Sequence, residues 1–172
     1  TLRPVALVID RANVIHAAWD QIRLGGSGRS VWYTRSIDGG LTFEPERNLE
    51  DVIYGSYSSS ETRAPSMIVA GDGSLVIAFR DAVGPWTDVI RSSDHGLTFQ
   101  KSALLTPAGT PILRAGPAGS NTVLLASWDS AGVRIGRSTD AGITFGSPVL
   151  VTGPCSSVSV ELARAPGGTW AL

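Results

Sequence analysis

Lysine is almost missing from this 172-residue chain: Lys101 stands alone against thirteen arginines. Cysteine is nearly absent too. Cys155 has no second thiol to meet, which excludes an intrachain disulfide and a thiolate metal cluster. No strong charge of either sign accumulates; the net charge of −1 leaves no electrostatic footprint for nucleic acid or an anionic membrane. No apolar run approaches the length of a membrane span. The opening letters, TLRPVALVID, hold neither an initiator Met nor a basic stretch ahead of an apolar one, so a signal peptide is expected to have been removed or never present. There is no G-x-S-x-G elbow, Gly-rich phosphate loop or N-glycosylation sequon. His16 falls within an apolar run and His95 within a turn, with no paired ligand nearby in sequence, so neither a metal nor a cofactor is expected. What remains is a globular composition, 42% hydrophobic and 17% charged, with length for one domain and a real core. The arginine excess has two readings: base composition of the source, or planar forks for a carboxylate or phosphate that lysine does not imitate.

What the chain does have is a repeat. RSIDGGLTF (35–43), RSSDHGLTF (91–99) and RSTDAGITF (137–145) share Arg-Ser-x-Asp-x-Gly-x-Thr-Phe. Asp38 to Asp94 is 56 residues and Asp94 to Asp140 is 46, spacings typical of propeller blades. Upstream of each copy runs an apolar strand closing on an aromatic and an Asp within three residues: VIHAAWD (14–20), LVIAFRD (75–81) and VLLASWD (123–129). Turns precede them at 11–13, 71–73 and 119–121, and extended runs precede the turns at 5–10, 66–70 and 111–115. A third strand leads into each motif and a fourth leaves it. Each unit therefore reads as a four-stranded meander, without helical periodicity, and the fold class is all-β.

At the turn between the third and fourth strands the residue types have structural work. Asp38, Asp94 and Asp140 suit acceptance of backbone N–H groups. Gly40, Gly96 and Gly142 suit a conformation that a Cβ opposes. Ser36, Ser92 and Ser138, with Thr42, Thr98 and Thr144, are placed to tie the turn. Phe43, Phe99 and Phe145 are placed to pack beneath it. The motif reads as a staple rather than as catalytic machinery, because repeated units share scaffold and differ at their sites.

The pattern S-x-D-x-G-x-T-F resembles the Asp box, or BNR repeat, of sialidases (neuraminidases) and related β-propellers. The resemblance implies a sialidase-like propeller in which the Asp boxes lie away from the active site, and an extracytoplasmic location. It implies blade units at about 4–51, 62–106 and 110–153, and the start of a fourth at 155–172, where SVSVEL, the PGG turn and TWAL repeat the opening of a unit. Six blades are the family norm, so the remainder of the propeller, or a second copy of the chain, is expected to close the ring. The end of the chain within a strand favours the fragment reading.

In such a propeller the strand 2–3 loops and the inter-blade connections share the face opposite the boxes. DQIRLGGSGRS (20–30) and RNLEDVIYGSYSSSETRA (47–64) are long there, while DSAG (129–132) and TPAGTP (106–111) are minimal. Arg23, Arg29, Tyr54, Tyr57, Glu61, Arg63, Asp81, Trp86 and Asp88 are therefore expected near one mouth, a setting suited to an acidic sugar and equally to an ordinary surface. TRAPSMIVAGDGSLVIAFRD (62–81) is similar to the sialidase stretch that opens Arg-Ile-Pro. That likeness implies Arg63 as a clamp for the substrate carboxylate and Asp88, or secondly Asp81, as the acid/base. The departures are plain. Ala64 stands where Ile is usual, a whole unit precedes Arg63, and Ser156 stands near the place of a catalytic Glu, leaving Glu161 structural. The remaining Args and the Tyr nucleophile of the family would fall beyond Leu172. Two functions stay open: part of an exo-glycosidase acting on acidic sugars such as sialosides, or a non-catalytic BNR propeller that binds glycan or protein.

Overall fold

A computed structural model describes residues 5–22, 28–55, 63–81, 86–105, 110–153, 163–164 and 170–171. The first sheet is formed by β1 (Ala6–Ile9), β2 (Ile15–Ile22), β3 (Arg29–Ser36) and β4 (Arg47–Asn48). The second holds β5 (Arg63–Val69), β6 (Leu75–Arg80), β7 (Thr87–Ser92) and β8 (Gln100–Leu105). In the third, β9 (Ile112–Ala115), β10 (Val123–Asp129), β11 (Gly132–Ser138) and β12 (Val149–Leu150) pair in the same order. All three are antiparallel meanders in which each strand pairs with its neighbours in sequence. Two further short strands, β13 (Ala163–Arg164) and β14 (Trp170–Ala171), pair beyond them; SVSVEL, Ser156 and Glu161 lie outside the described residues.

The alternation of side chains along each strand decides how the sheets stack. Ala18, Val31 and Tyr33 on one face of the first sheet share a buried cluster with Leu75, Ile77, Phe79, Ile90 and Phe99 of the second. The other face of the second sheet, with Val76, Ala78 and Val89, meets Leu113, Val123 and Leu125 of the third. Strand β6 of the second sheet, buried on both faces over 75–79, accordingly reads as a continuous apolar run. On the far face of β1, Leu7 and Ile9 remain 61% and 60% exposed.

Two sequence expectations need correction. Helix α1 (Leu49–Tyr54) interrupts the otherwise all-β chain. Asn48 caps it, its side chain accepting the Glu50 N–H at 3.0 Å, and Glu50 and Asp51 suit the positive end of the helix. Six residues are too few to display a 3.6-residue period. The first strand of the second unit also begins three residues early, at Arg63 rather than Ser66, because a bulge between these residues restores pairing with Arg80.

The three repeated turns close with the same hydrogen bonds. Ser36, Ser92 and Ser138 each donate their hydroxyl to the Asp two positions on, at 2.7 Å, and accept the Gly40, Gly96 and Gly142 N–H groups at 2.9 Å. The same Asp accepts both the backbone N–H and the hydroxyl of Thr42, Thr98 or Thr144. The phenylalanines diverge. Phe99 is 7% exposed within the core of the first two sheets and Phe145 packs against that of the second and third, whereas Phe43 is 48% exposed. Phe99 and Phe145 pack toward the preceding sheet, and among the described residues no sheet precedes the first, to which Phe43 belongs.

Burial opposes ionisation of Asp94, but bonds from the Thr98 hydroxyl, the Thr98 N–H and Ser92 prevail and hold its pKa at about 2. Bonds from Thr144 and Ser138 hold Asp140 at about 2, and those from Thr42 and Ser36 push Asp38 well below the usual range. These groups stabilise the fold fully above their ordinary value of 3.8, and that contribution is lost as pH falls toward 2. The melting temperature is therefore expected to drop through this acid window, with a shallower drop in Asp94→Asn; equal acid limbs in the two proteins would remove Asp94 from the effect.

Candidate functional site

The strand 1–2 turns and the repeated 3–4 turns occupy one end of the sheets, which leaves the strand 2–3 connections at the other. At that second end the second sheet brings the backbone of Arg63 opposite Arg80, and Asp81, Trp86, Thr87 and Asp88 follow at the β6–β7 connection. The Asp81 N–H donates to the Trp86 carbonyl at 3.1 Å and closes this connection. Trp86 is partly exposed beside it. From the first sheet, Asp20 and Arg29 reach the same end, and Tyr54 ends helix α1. Arg23, Tyr57 and Glu61 lie outside the described residues.

The side chains there are largely engaged with one another. Arg29 Nε donates to Asp20 Oδ2 at 2.9 Å, and the Asp20 carboxylate is buried. The Asp88 carboxylate is 1% exposed on the face that meets the first sheet, and the Lys101 ammonium lies 2.9 Å from its Oδ1. Glu50, fully buried, accepts the Ser30 hydroxyl. Asp129 pairs with Arg134 at 3.3 Å, which repeats in the third sheet the Asp20–Arg29 arrangement of the first. An Asp toward the end of the second strand is thus a partner for an arginine on the third strand in both sheets.

Arg63 enters β5 through an unusual backbone. Ala64 has a φ of 52°, in the left-handed region, at the bulge that separates Arg63 from Ser66. A β-branched residue there would be a conformational outlier, whereas alanine bears a smaller penalty. The alanine after Arg63 thus permits the register that places Arg63 beside Arg80. Sequence reasoning missed Lys101 and Glu50. The solitary lysine was visible, but only the pairing of Lys101 with Ile90 sets it beside Asp88.

A scan of protein-family models finds no match, and a search of curated proteins finds none either. Solved structures do match. The NanB sialidase from Streptococcus pneumoniae superposes with a TM-score of 0.67 at 10% identity, over 95% of this chain and 46% of that one. The Hadza microbial sialidase Hz136 matches at 0.56 and 21% identity, over 84% of this chain and 33% of that one. The fold is sialidase-like. Zg3597, a family 117 glycoside hydrolase from the marine bacterium Zobellia galactanivorans, also matches this sialidase-like fold, at 0.55 and 12% identity over 86% of this chain and 46% of its own. The chain spans between a third and about half of these proteins.

Proposed function

We propose that the chain is a portion of a sialidase-like β-propeller with Asp-box turns, whose end opposite those turns recognises an acidic sugar such as a sialoside. Its blades would be the units at about 4–51, 62–106 and 110–153, with a fourth begun at 155–172. The remainder of the propeller, or a second copy, would cover the exposed Leu7 and Ile9. The observation that carries this reading is the bulge at Ala64. It sets Arg63 at the loop-bearing end of the second sheet, beside the connection that supplies Asp81, Trp86 and Asp88. In the proposed part of an exo-glycosidase, Arg63 grips the substrate carboxylate with its planar fork and Asp88 or Asp81 serves proton transfer. Tyr54, Tyr57, Trp86, Arg23 and Arg29 would line the sugar.

A second reading, a non-catalytic propeller that binds glycan or protein, is favoured by the ion pairs Asp88–Lys101 and Asp20–Arg29, which occupy charges an enzyme would turn to its substrate. One experiment separates the two. Full-length protein should hydrolyse a fluorogenic sialoside, and Arg63→Ala should lose about 10²-fold or more in kcat/KM. Retained sialoside binding without turnover, weakened by Arg63→Ala, would select the second reading. Activity indifferent to Arg63→Ala would remove this residue from the mechanism. Activity of the 172-residue chain alone, at the mass of two copies, would mean that a second copy completes the ring.

A further inference from the structure

Nine residues after the Arg that opens each repeated motif stands its neighbour across the turn: Glu44 for Arg35, Gln100 for Arg91 and Gly146 for Arg137. The backbone places all three alike. The Glu44 and Gly146 N–H groups donate to the Arg35 and Arg137 carbonyls at 2.9 Å, and Gln100 pairs with Arg91 across β7 and β8. In the first sheet the side chains complete the pair. Arg35 donates through Nε and Nη2 to the two oxygens of Glu44, at 2.8 and 2.7 Å, and through Nη1 to the His95 carbonyl of the next repeated turn. The seam between the first two sheets thus holds a guanidinium with a carboxylate on its planar edge.

The second sheet repeats the arginine without that carboxylate. Arg91 shares its face with Val76, which meets the third sheet. Its Nη2 donates to Asp72 Oδ2 at 2.6 Å and to Ser74 Oγ at 2.5 Å, whereas its Nε is buried and has no acceptor. A buried donor in this state bears a desolvation cost that the matching Nε of Arg35 offsets on Glu44. Beside Arg91 lies a cavity of about 250 Å³, lined also by Ser93, Gln100, Lys101 and, from the third repeated turn, Ile143. No carboxylate is among its lining residues. The Lys101 ammonium is engaged with Asp88, so Arg91, the Gln100 amide and the Ser93 hydroxyl supply donors to this space.

We propose that this cavity binds the carboxylate of a small acid, with the Arg91 Nε–H on one oxygen and the Gln100 amide on the other, in the place that Glu44 takes in the first seam. The ligand class follows from the internal template: the same guanidinium edge, at the same letter of the repeat, is already matched to a planar two-oxygen group within the chain. A lysine at position 91 would offer no such edge. The volume admits about one sugar ring or a short free acid. Entry requires that Gln100, which is exposed, turn aside from Nε. The site lies at the turn-bearing end of the sheets, away from Arg63, and does not depend on the sialoside reading.

NMR of the full-length protein carrying isotope-labelled arginine tests this. The Arg91 Nε–H resonance, assigned by its loss in Arg91→Lys, should shift saturably with glucuronate at millimolar concentration and not with glucose. Arg91→Lys keeps the charge and should bind glucuronate about tenfold more weakly in equilibrium dialysis. Gln100→Glu copies the first seam: its Arg91 Nε–H should stand at the shifted position without ligand, and glucuronate should no longer move it. Should Arg91→Lys fail to fold, Gln100→Glu, at an exposed position, both assigns the resonance and carries the test. An oligosaccharide ending in glucuronate that binds about tenfold more tightly than glucuronate identifies the source as a glycan, and one that binds no more tightly identifies a free acid; either supports the site. Inorganic phosphate bound as tightly as glucuronate overturns the carboxylate assignment. No shift with glucuronate, an equal shift with glucose, or an undiminished response in Gln100→Glu overturns the site itself.

Discussion

Gly96→Ala is expected to destabilise the chain by about 2–4 kcal/mol, against about 1 kcal/mol for Gly40→Ala, although both alter the same letter of the repeat. All three glycines at this position have left-handed φ values, 91° at Gly40, 77° at Gly96 and 84° at Gly142, so alanine bears a similar backbone cost at each. Their surroundings separate them. A methyl on Gly40 would meet only the tip of Ile15, at 3.3 Å, and one on Gly142 would press on the Val76 methyls at 3.2 Å. On Gly96 it would collide with the Tyr33 hydroxyl and lie 2.8 Å from Cζ. The Tyr33 ring has no room to yield. It is fully buried, packs edge-on against Phe99 with centroids 4.9 Å apart, and holds His16 through its hydroxyl. Urea unfolding of the two variants measures the difference. Equal losses would show that the second turn does not press on the first sheet.

Phe79→Ala is the second large effect, an expected loss of about 3–5 kcal/mol. The Phe79 side chain has no exposed surface and belongs to the cluster shared by the first two sheets, so its removal empties a space that residues of two sheets line. It also lies directly opposite Asp88 in the pairing of β6 with β7. A loss below about 1 kcal/mol in denaturant titration would mean that these sheets do not share a core.

Much of the fold was legible because it is local. The Ser, Asp, Gly and Thr of each repeated turn lie within seven residues, and the hydrogen bonds that close the turn run among them. The apolar runs at 75–79 and 123–126 stand out as strands because both of their faces are covered or nearly so. The bulge at Ala64 was not legible. It answers the pairing of β5 with β6 rather than any preference of alanine. Helix α1 was hidden by its brevity, and the fate of each phenylalanine depended on whether another sheet precedes its own.

The candidate site was less legible than the fold for the same reason. Loop length and residue type pointed to one end of the sheets, and Asp81, Trp86 and Asp88 lie there with the backbone of Arg63. Which charges are engaged within the protein depended on contacts between strands. Asp88 is covered by the first sheet and paired with Lys101 across β7 and β8, and Arg29 is bound to Asp20 across β2 and β3.

Residue order by itself determined that this chain forms four-stranded antiparallel meanders punctuated by identical turns, since alternation and turn chemistry act over a few neighbouring residues. Tertiary structure alone decided which equivalent residues became unequal: a buried Phe99 and an exposed Phe43, a Gly96 under Tyr33 and a Gly40 near only one methyl. It alone also brought Asp10, His16 and His95 to a common point from segments up to 85 residues apart. The physical reason is that burial and charge pairing depend on which sheet stacks on which, and short-range sequence preferences carry no record of that neighbour.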